Sequence, residues 1–280
     1  VDPDDACGGD EATNVFDLQQ NWNWISFNVF QDDMSLDNVF GSIAIPNDGI
    51  ENVEFLKSQT DGTATWYETF GWFGSLAEIK NTAMYQLKMV QGSALEFSGT
   101  PVDVATTPIG LETNWNWIGY LPQGSLDIAT AFGNIAIPND GIDNVEFLKS
   151  QTDGTATWYE TFGWFGSLSE LTPTKGYQLK MVNPATLYYP EADGLAVSDD
   201  LDSNIENQEN FARTNIDLLG WGFNPHDYEF NGTITFSVAN IDGSSDDLLA
   251  AFVGDEVRGI AERLYFPFGD TYVYIMQVYS

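Results

Sequence analysis

The chain has 280 residues, of which 42 are acidic and 9 are basic, so its formal net charge is −33 at pH 7. This charge strongly disfavours nucleic acid, anionic membranes and phosphate-rich partners, because binding them depends on Lys and Arg that neutralise phosphate. It suits high salt or divalent cations, which screen the repulsion between carboxylates, and the 43% of hydrophobic residues is enough for a folded core.

The sequence predicts neither a membrane-spanning helix nor a disulfide framework. It has no apolar run of about 18 residues, the length that a spanning helix needs. Cys7 is the only cysteine, so it is either an incidental residue or an intermolecular crosslink. The start at Val1, without Met or an apolar signal segment, fits either a mature exported protein or a trimmed chain.

An acidic leader (1–14) is predicted to precede a first repeat module (15–100). Asn21 to Phe30 is a predicted strand with apolar residues on both faces, so we expect part of it to be buried on both sides. Ser35 is the expected N-cap of a short helix, and Asp61-Gly62 is the expected turn of a hairpin. The remaining predicted elements are strands at 53–58, 64–69 and 84–90 and a second short helix at 75–79.

A second repeat module (101–190) has the same order of elements. Residues 52–76 recur unchanged as residues 144–168, and the shared block begins at Ile43 and Ile135 with Glu51 against Asp143 as its one difference. Selection on a duplicated surface and recent gene duplication both explain this identity. Two copies of one binding surface would gain avidity by being tethered.

An acidic linker (191–210) is predicted to lead to a β-sandwich-like module (211–280), and the fold class is therefore mainly β. Short apolar strands separated by tight turns are typical of a sandwich. We expect this module to continue in a parent protein or to be completed by a neighbouring chain. Its predicted strands are 216–223, 228–239, 248–253, 257–262 and 272–278.

Three motifs carry a resemblance to a known group of proteins. They are Asn21-Trp-Asn-Trp-Ile-Ser, Gly71-Trp-Phe-Gly-Ser-Leu and Gly176-Tyr-Gln-Leu-Lys-Met. They resemble tandem modules of large secreted proteins from Bacteroidetes-like and other environmental bacteria, and the Ala250-Ala-Phe-Val-Gly-Asp-Glu-Val-Arg-Gly stretch looks like the β-sandwich unit that accompanies them. The resemblance implies an extracellular, non-catalytic accessory or surface region. The first copy departs from the pattern near Ala83, ahead of its tyrosine.

Aromatic residues of the duplicated hairpin are the candidate contacts for a ligand or partner. They either fill a small core or form a platform that stacks on sugar rings, with Gln59, Asp61 and Glu68 holding the hydroxyl groups. Trp66 and Tyr67 are adjacent on a strand and point to opposite faces, which makes the tyrosine the better candidate for contact. The candidates are Trp66, Tyr67, Trp72, Phe73, Trp158, Tyr159, Trp164 and Phe165.

A calcium site is a second hypothesis. Asp242, Asp246 and Asp247 offer oxygen ligands of the kind that Ca²⁺ prefers, although their spacing differs from the EF-hand loop. Catalysis is not predicted: His226 is the only histidine, no nucleophile elbow surrounds a serine, and zinc sites need more ligands than the chain supplies. No cofactor other than Ca²⁺ is suggested.

These patterns favour a non-catalytic, extracellular or cell-surface structural or adhesive protein. It would be a cell-surface or filament-forming subunit that assembles through strand edges and aromatic surfaces. The alternative is a carbohydrate-binding region of a secreted polysaccharide-degrading protein. The expected partners are copies of the same chain or surface glycans.

Overall fold

A computed structural model describes residues 11–43, 55–69, 71–133, 135, 147–160, 163–192, 220–238, 247–266 and 271–280. The protein is mainly β, as predicted, with short helices and antiparallel sheets. Cys7, Asp242, Asp246 and most of the acidic linker lie outside the described residues.

The described part of the first repeat contains eight strands and one helix. They are β1 (Ala12–Leu18), β2 (Asn21–Ile25), β3 (Val29–Phe30), α1 (Leu36–Phe40), β4 (Phe55–Ser58), β5 (Thr63–Tyr67), β6 (Gly71–Gly74), β7 (Tyr85–Met89) and β8 (Ser93–Pro101). β1 begins inside the predicted leader, because its backbone pairs with β8 from Ala12 onwards.

The second repeat contains the counterparts of most of these elements. They are β9 (Ile109–Leu111), β10 (Asn114–Ile118), β11 (Leu126–Asp127), α2 (Ile128–Ala131), β12 (Phe147–Lys149), β13 (Thr155–Tyr159), β14 (Gly163–Gly166), β15 (Glu170–Leu171), β16 (Tyr177–Met181) and β17 (Ala185–Leu187). β3 has no counterpart, and the β11–β15 pair corresponds to an isolated bridge between Ser35 and Glu78. The main sheets have the same strand order, β2-β7-β4-β5-β6 and β10-β16-β12-β13-β14. Each repeat encloses a separate hydrophobic core.

Local sequence explains several of these elements. The Ser35 side chain accepts the Asn38 N–H at the start of α1, as predicted, and the Asp127 side chain accepts the Thr130 N–H at the start of α2. The predicted Asp61-Gly62 turn is present, and Gly62 has a φ of 92°, in the left-handed region that glycine adopts without strain.

The predicted helix at 75–79 is wrong. The Leu76 N–H donates to the Thr63 carbonyl, and the Ile79 N–H donates to the Met34 carbonyl. Tertiary partners therefore satisfy the backbone groups that a helix would pair internally. A five-residue segment gains too few helical bonds to compete with them.

The third module has four described strands in one antiparallel sheet of order β18-β21-β20-β19. They are β18 (Asn231–Phe236), β19 (Leu248–Val253), β20 (Glu256–Phe266) and β21 (Thr271–Tyr279). Its core cluster of buried residues contains Ala261, Tyr274 and Met276. The second layer that a sandwich requires is not among the described residues. Residues 220–223, predicted as part of a strand, are not in one.

Within the described part of the chain, the helices are too short and too polar to cross a membrane.

Candidate functional site

The two repeats pack around an approximate two-fold axis inside one chain. The Ser26 N–H donates to the Thr174 carbonyl at 2.9 Å, and its counterpart Gly119 N–H donates to the Thr82 carbonyl at 3.0 Å. Ile25 forms a β-bridge with Lys175, and Ala83 forms the matching bridge with Ile118. Because each of these contacts occurs twice with the roles of the repeats exchanged, the chain is an intramolecular pseudo-dimer.

The reciprocal contacts form two regions between the repeats, here called seams. A glutamine side chain joins the repeats in the first seam. The Trp24 N–H donates to Gln151 Oε1 at 2.8 Å, and Gln151 Nε2 donates to the Trp22 carbonyl at 2.8 Å. β2 is an edge strand of its sheet, so the amide of Gln151 takes the place of a neighbouring strand.

Gln59 makes the same pair of bonds in the second seam. The Trp117 N–H donates to Gln59 Oε1 at 2.7 Å, and Gln59 Nε2 donates to the Trp115 carbonyl at 2.6 Å. Each glutamine with its two hydrogen bonds is here called a glutamine clamp. The two clamps differ in burial: Gln151 is 7% exposed, whereas Gln59 lies at the surface.

The Asn-Trp-Asn-Trp motif presents these backbone groups. Asn21 and Asn114 begin β2 and β10 with φ of 68° and 75°, a region that Asn tolerates better than most residues. The Asn23 side chain accepts the Gln19 N–H and donates to the Gln19 carbonyl, both at 2.8 Å. It thereby closes the turn that leads into β2.

Six residues, here called the axial cluster, surround the two-fold axis: Trp22, Trp24, Lys57, Trp115, Trp117 and Lys149. Lys57 Nζ lies 5.2 Å from the Trp22 ring and 5.9 Å from the Trp117 ring. Lys149 Nζ lies 4.9 Å from the Trp115 ring and 5.7 Å from the Trp24 ring. Each lysine therefore joins a tryptophan of its own repeat to one of the other repeat by cation–π contact.

Burial changes the chemistry of one lysine in the cluster. It lowers the pKa of Lys149 to about 8, while the negative faces of the adjacent indole rings favour the cation and oppose the shift. Lys149 is therefore still mainly charged at neutral pH, and the described groups around its ammonium include two indole rings and the Asn231 carbonyl oxygen.

Met84 and Gly176 occupy equivalent positions in the two repeats and meet each other at the axis. A Cβ atom on Gly176 would lie 2.1 Å from Met84 Cγ and 3.0 Å from the Ile25 carbonyl oxygen. Met84 is completely buried. The absence of a side chain at Gly176 is what makes room for Met84.

The third module lies across this axis. Glu229 forms an ion pair with Lys57, and Lys149 Nζ donates to the Asn231 carbonyl at 3.1 Å. The His226 ring contacts the Trp22 carbonyl through Nδ1, which must donate because a carbonyl only accepts. The only histidine is thus part of this interface, in a turn of 3-10 helix at Pro225–Asp227.

The third module also forms hydrogen bonds with the hairpin turn of the second repeat. Gln277 Nε2 donates to the Ser150 and Gly154 carbonyls at 2.9 and 3.2 Å, and the Tyr279 hydroxyl donates to the Gln151 carbonyl at 2.7 Å. These bonds satisfy carbonyl groups at both ends of the turn at 150–154.

Phe266 extends this contact to the predicted aromatic surface of the second repeat. Its ring lies 5.9 Å from Tyr159 and 5.1 Å from Phe165. Burial there raises the pKa of the Tyr159 hydroxyl.

The predicted aromatic candidates divide between the two faces of each hairpin. Trp66 lies opposite Trp72 on the neighbouring strand, and both pack against the core of the first repeat. In the second repeat, Trp158 lies opposite Trp164, with their ring centroids 5.7 Å apart. The outward face carries Tyr67, Phe73, Tyr159 and Phe165, and Phe73 is 69% exposed. The structure therefore places the tryptophans on the face toward the core and the tyrosines and phenylalanines on the opposite face.

Sequence reasoning missed the axial cluster and the glutamine clamps. The signal was present, because β2 was predicted to be buried on both faces, and Trp22 and Trp24 are 7% and 6% exposed. What covers the second face comes from the other repeat and the third module, which a prediction within one module cannot supply.

Of the three residues predicted to bind calcium, Asp247 is the one that the structure describes. It directly precedes β19. The described residues contain no group of three His, Cys, Asp or Glu side chains arranged to hold a metal ion. Because Asp242 and Asp246 are outside those residues, the site stays a prediction.

Comparisons with protein-family models, curated proteins and solved structures find no match to this chain. The resemblance to secreted bacterial repeat modules stays a prediction.

Proposed function

We propose that the protein is a non-catalytic structural or adhesive component of an extracellular or cell-surface assembly, and that copies join through the edge of the third sheet. The observation that carries this proposal is β19. This strand, Leu-Leu-Ala-Ala-Phe-Val, is apolar throughout and lies at the edge of its sheet among the described strands.

The chemistry of β19 is unusual for an edge. Natural edge strands are protected by charges, prolines or short length, because their free N–H and C=O groups can pair with another chain. β19 has six residues with no charge, and Phe252 and Val253 are 47% and 62% exposed. It therefore has the properties of a template for strand addition.

The net charge of −33 supports assembly that depends on ionic conditions. Copies with this charge repel one another at low ionic strength, where the Debye length is on the order of 30 Å at 0.01 M. At about 1 M salt it shortens to about 3 Å, and short-range strand pairing then dominates. This behaviour fits a protein that works in a saline or cation-rich environment.

Light scattering and electron microscopy of the full chain test the proposal. We expect high-mass polymers in about 1 M salt and mainly monomer at low salt, because only screened copies approach closely enough to pair. The double variant Phe252→Lys/Val253→Lys should stay monomeric in both conditions, since charges on an edge oppose strand addition.

Matched lysines elsewhere provide the control. Ala105→Lys/Tyr188→Lys changes the net charge equally at exposed positions outside the strands, so this variant should assemble like the wild type. Circular dichroism shows whether each variant keeps its fold. A wild-type protein that remains monomeric at high concentration and high salt would contradict the proposal.

Glycan binding is the second candidate function, and the exposed Phe73 beside Tyr67 is the observation that favours it. The outward rings of the second repeat contact Phe266, so the first repeat would carry more of the binding. Stacking of sugars on exposed rings needs a face that solvent can reach.

Retention on insoluble polysaccharides tests this candidate. Tyr67→Ala should weaken retention more than Tyr159→Ala, and the double variant should abolish it without loss of fold. Retention of the wild type no better than that of an inert acidic protein, across a broad panel of polysaccharides, would eliminate glycan binding.

A further inference from the structure

Every contact surface that the first and second repeats offer to the third module exists twice. The occupied surface, here called seat one, consists of β2 with Trp22, the turn at 150–154, and the rings of Tyr159 and Phe165. The two-fold axis relates it to seat two, which consists of β10 with Trp115, the turn at 58–62, and the rings of Tyr67 and Phe73. The counterpart residues have the same identity in both seats.

The exposures of the two seats differ as expected when the third module covers seat one. Trp22 is 7% exposed, whereas Trp115 is 38% exposed. Gln151 is buried and Gln59 is exposed, although both make the same clamp. Phe73 is 69% exposed, and its counterpart Phe165 is partly buried beside Phe266.

We propose that seat two is a second docking surface for the third module of the same chain, and that the structure shows one of two related poses. The groups that the module recognises in seat one are backbone carbonyls of the turn, the edge of an Asn-Trp-Asn-Trp strand and two outward rings. Seat two presents the same groups in the same arrangement about the axis.

Only one seat can be filled at a time. Glu229 contacts Lys57 while Asn231 contacts Lys149, so the segment between them spans the axis. A module in the related pose would exchange these partners and would need the same two lysines. The two poses therefore compete, and each chain has one third module to share between them.

Small differences between the seats set which pose is preferred. The cleft beside His226 in seat one is lined by Thr174, Lys175 and Gly176. Their counterparts beside seat two are Thr82, Ala83 and Met84. Covalent geometry permits the exchange, because residues 193–219, at about 3.3 Å per extended residue, can span on the order of 90 Å.

The full chain with Tyr159→Ala and Phe165→Ala tests the proposal by weakening seat one alone. Hydroxyl-radical labelling read by mass spectrometry reports the exposure of Trp22 and Trp115, which lie in distinguishable peptides. We expect labelling of Trp22 to rise and labelling of Trp115 to fall by about fivefold, the ratio of their present exposures, when the population shifts fully. The experiment is run at low ionic strength, where the protein should remain a monomer by light scattering.

The matched variant Tyr67→Ala/Phe73→Ala should leave both labelling levels as in the wild type, because it changes only the open seat. If the fold of the first variant is lost by circular dichroism, Asn21→Gly replaces it, with Asn114→Gly as its control. Asn21 Nδ2 donates to Asp227 Oδ1 at 3.0 Å, and glycine keeps the positive φ while removing this bond.

Two results would overturn the proposal. Increased labelling of Trp22 with no protection of Trp115 would mean that the module detaches without using seat two. Protection of Trp115 together with a doubled mass would mean that a second copy fills the seat, which excludes exchange within one chain.

Discussion

Replacing Gly176 by methionine should lower the free energy of unfolding by about 3 kcal/mol, because the new side chain overlaps Met84 at the axis. Even a Cβ atom at this position would lie 2.1 Å from Met84 Cγ. Both residues are enclosed between the repeats, so the overlap cannot be relieved by moving a side chain into solvent. Urea unfolding followed by tryptophan fluorescence measures the loss.

A double variant in which Met84 and Gly176 exchange identities is the control for this prediction. Met84→Gly alone should also destabilise, by about 2–5 kcal/mol, because it leaves a cavity at a completely buried position. The double variant Met84→Gly/Gly176→Met moves the same side chain across the axis, so it should recover most of both losses. Additive losses in the double variant would show that the two residues do not share one space.

Gln151→Ala should lower the free energy of unfolding by about 2–3 kcal/mol. The change leaves the buried Trp24 N–H without its acceptor at 2.8 Å, whereas the Trp22 carbonyl loses one donor at 2.8 Å and keeps the His226 ring. Trp22 and Trp24 are almost fully buried, so water cannot replace the lost bonds cheaply. Chemical denaturation at constant pH and salt measures this effect.

Duplication supplies a control for this variant inside the same molecule. Gln59→Ala removes an equivalent pair of bonds at an exposed position, so its cost should be about 1 kcal/mol or less. Equal losses in the two variants would show that burial by the third module does not set the strength of the clamp.

The elements predicted from sequence are those whose determinants are local. Ser35 caps its helix, Gly62 forms its turn, and the apolar residues on both faces of Asn21–Ile25 are buried. The segment at 75–79 was misassigned because its backbone partners, Thr63 and Met34, are remote in sequence. Local preference could not reveal those partners.

The candidate site also has features that local sequence predicts and features that it does not. The outward position of Tyr67 follows from strand alternation, and it could be predicted. The roles of Gln59 and Gln151 could not, because identical residues in identical blocks acquire different burial from the single third module. The surroundings of two identical sequence blocks can differ only through tertiary contacts, which the blocks themselves do not encode.

The pairing of Met84 with Gly176 also bears on how such a chain can evolve. In a dimer of two identical subunits, a residue on the axis faces its own copy, so the two residue types found here could occur only as two methionines or as two glycines. The first pair would overlap at this spacing, and the second would leave a hole. Fusion of the two copies into one gene removes this restriction, since each half can then mutate separately. The methionine–glycine pair is a solution open to a fused ancestor and closed to an unfused one.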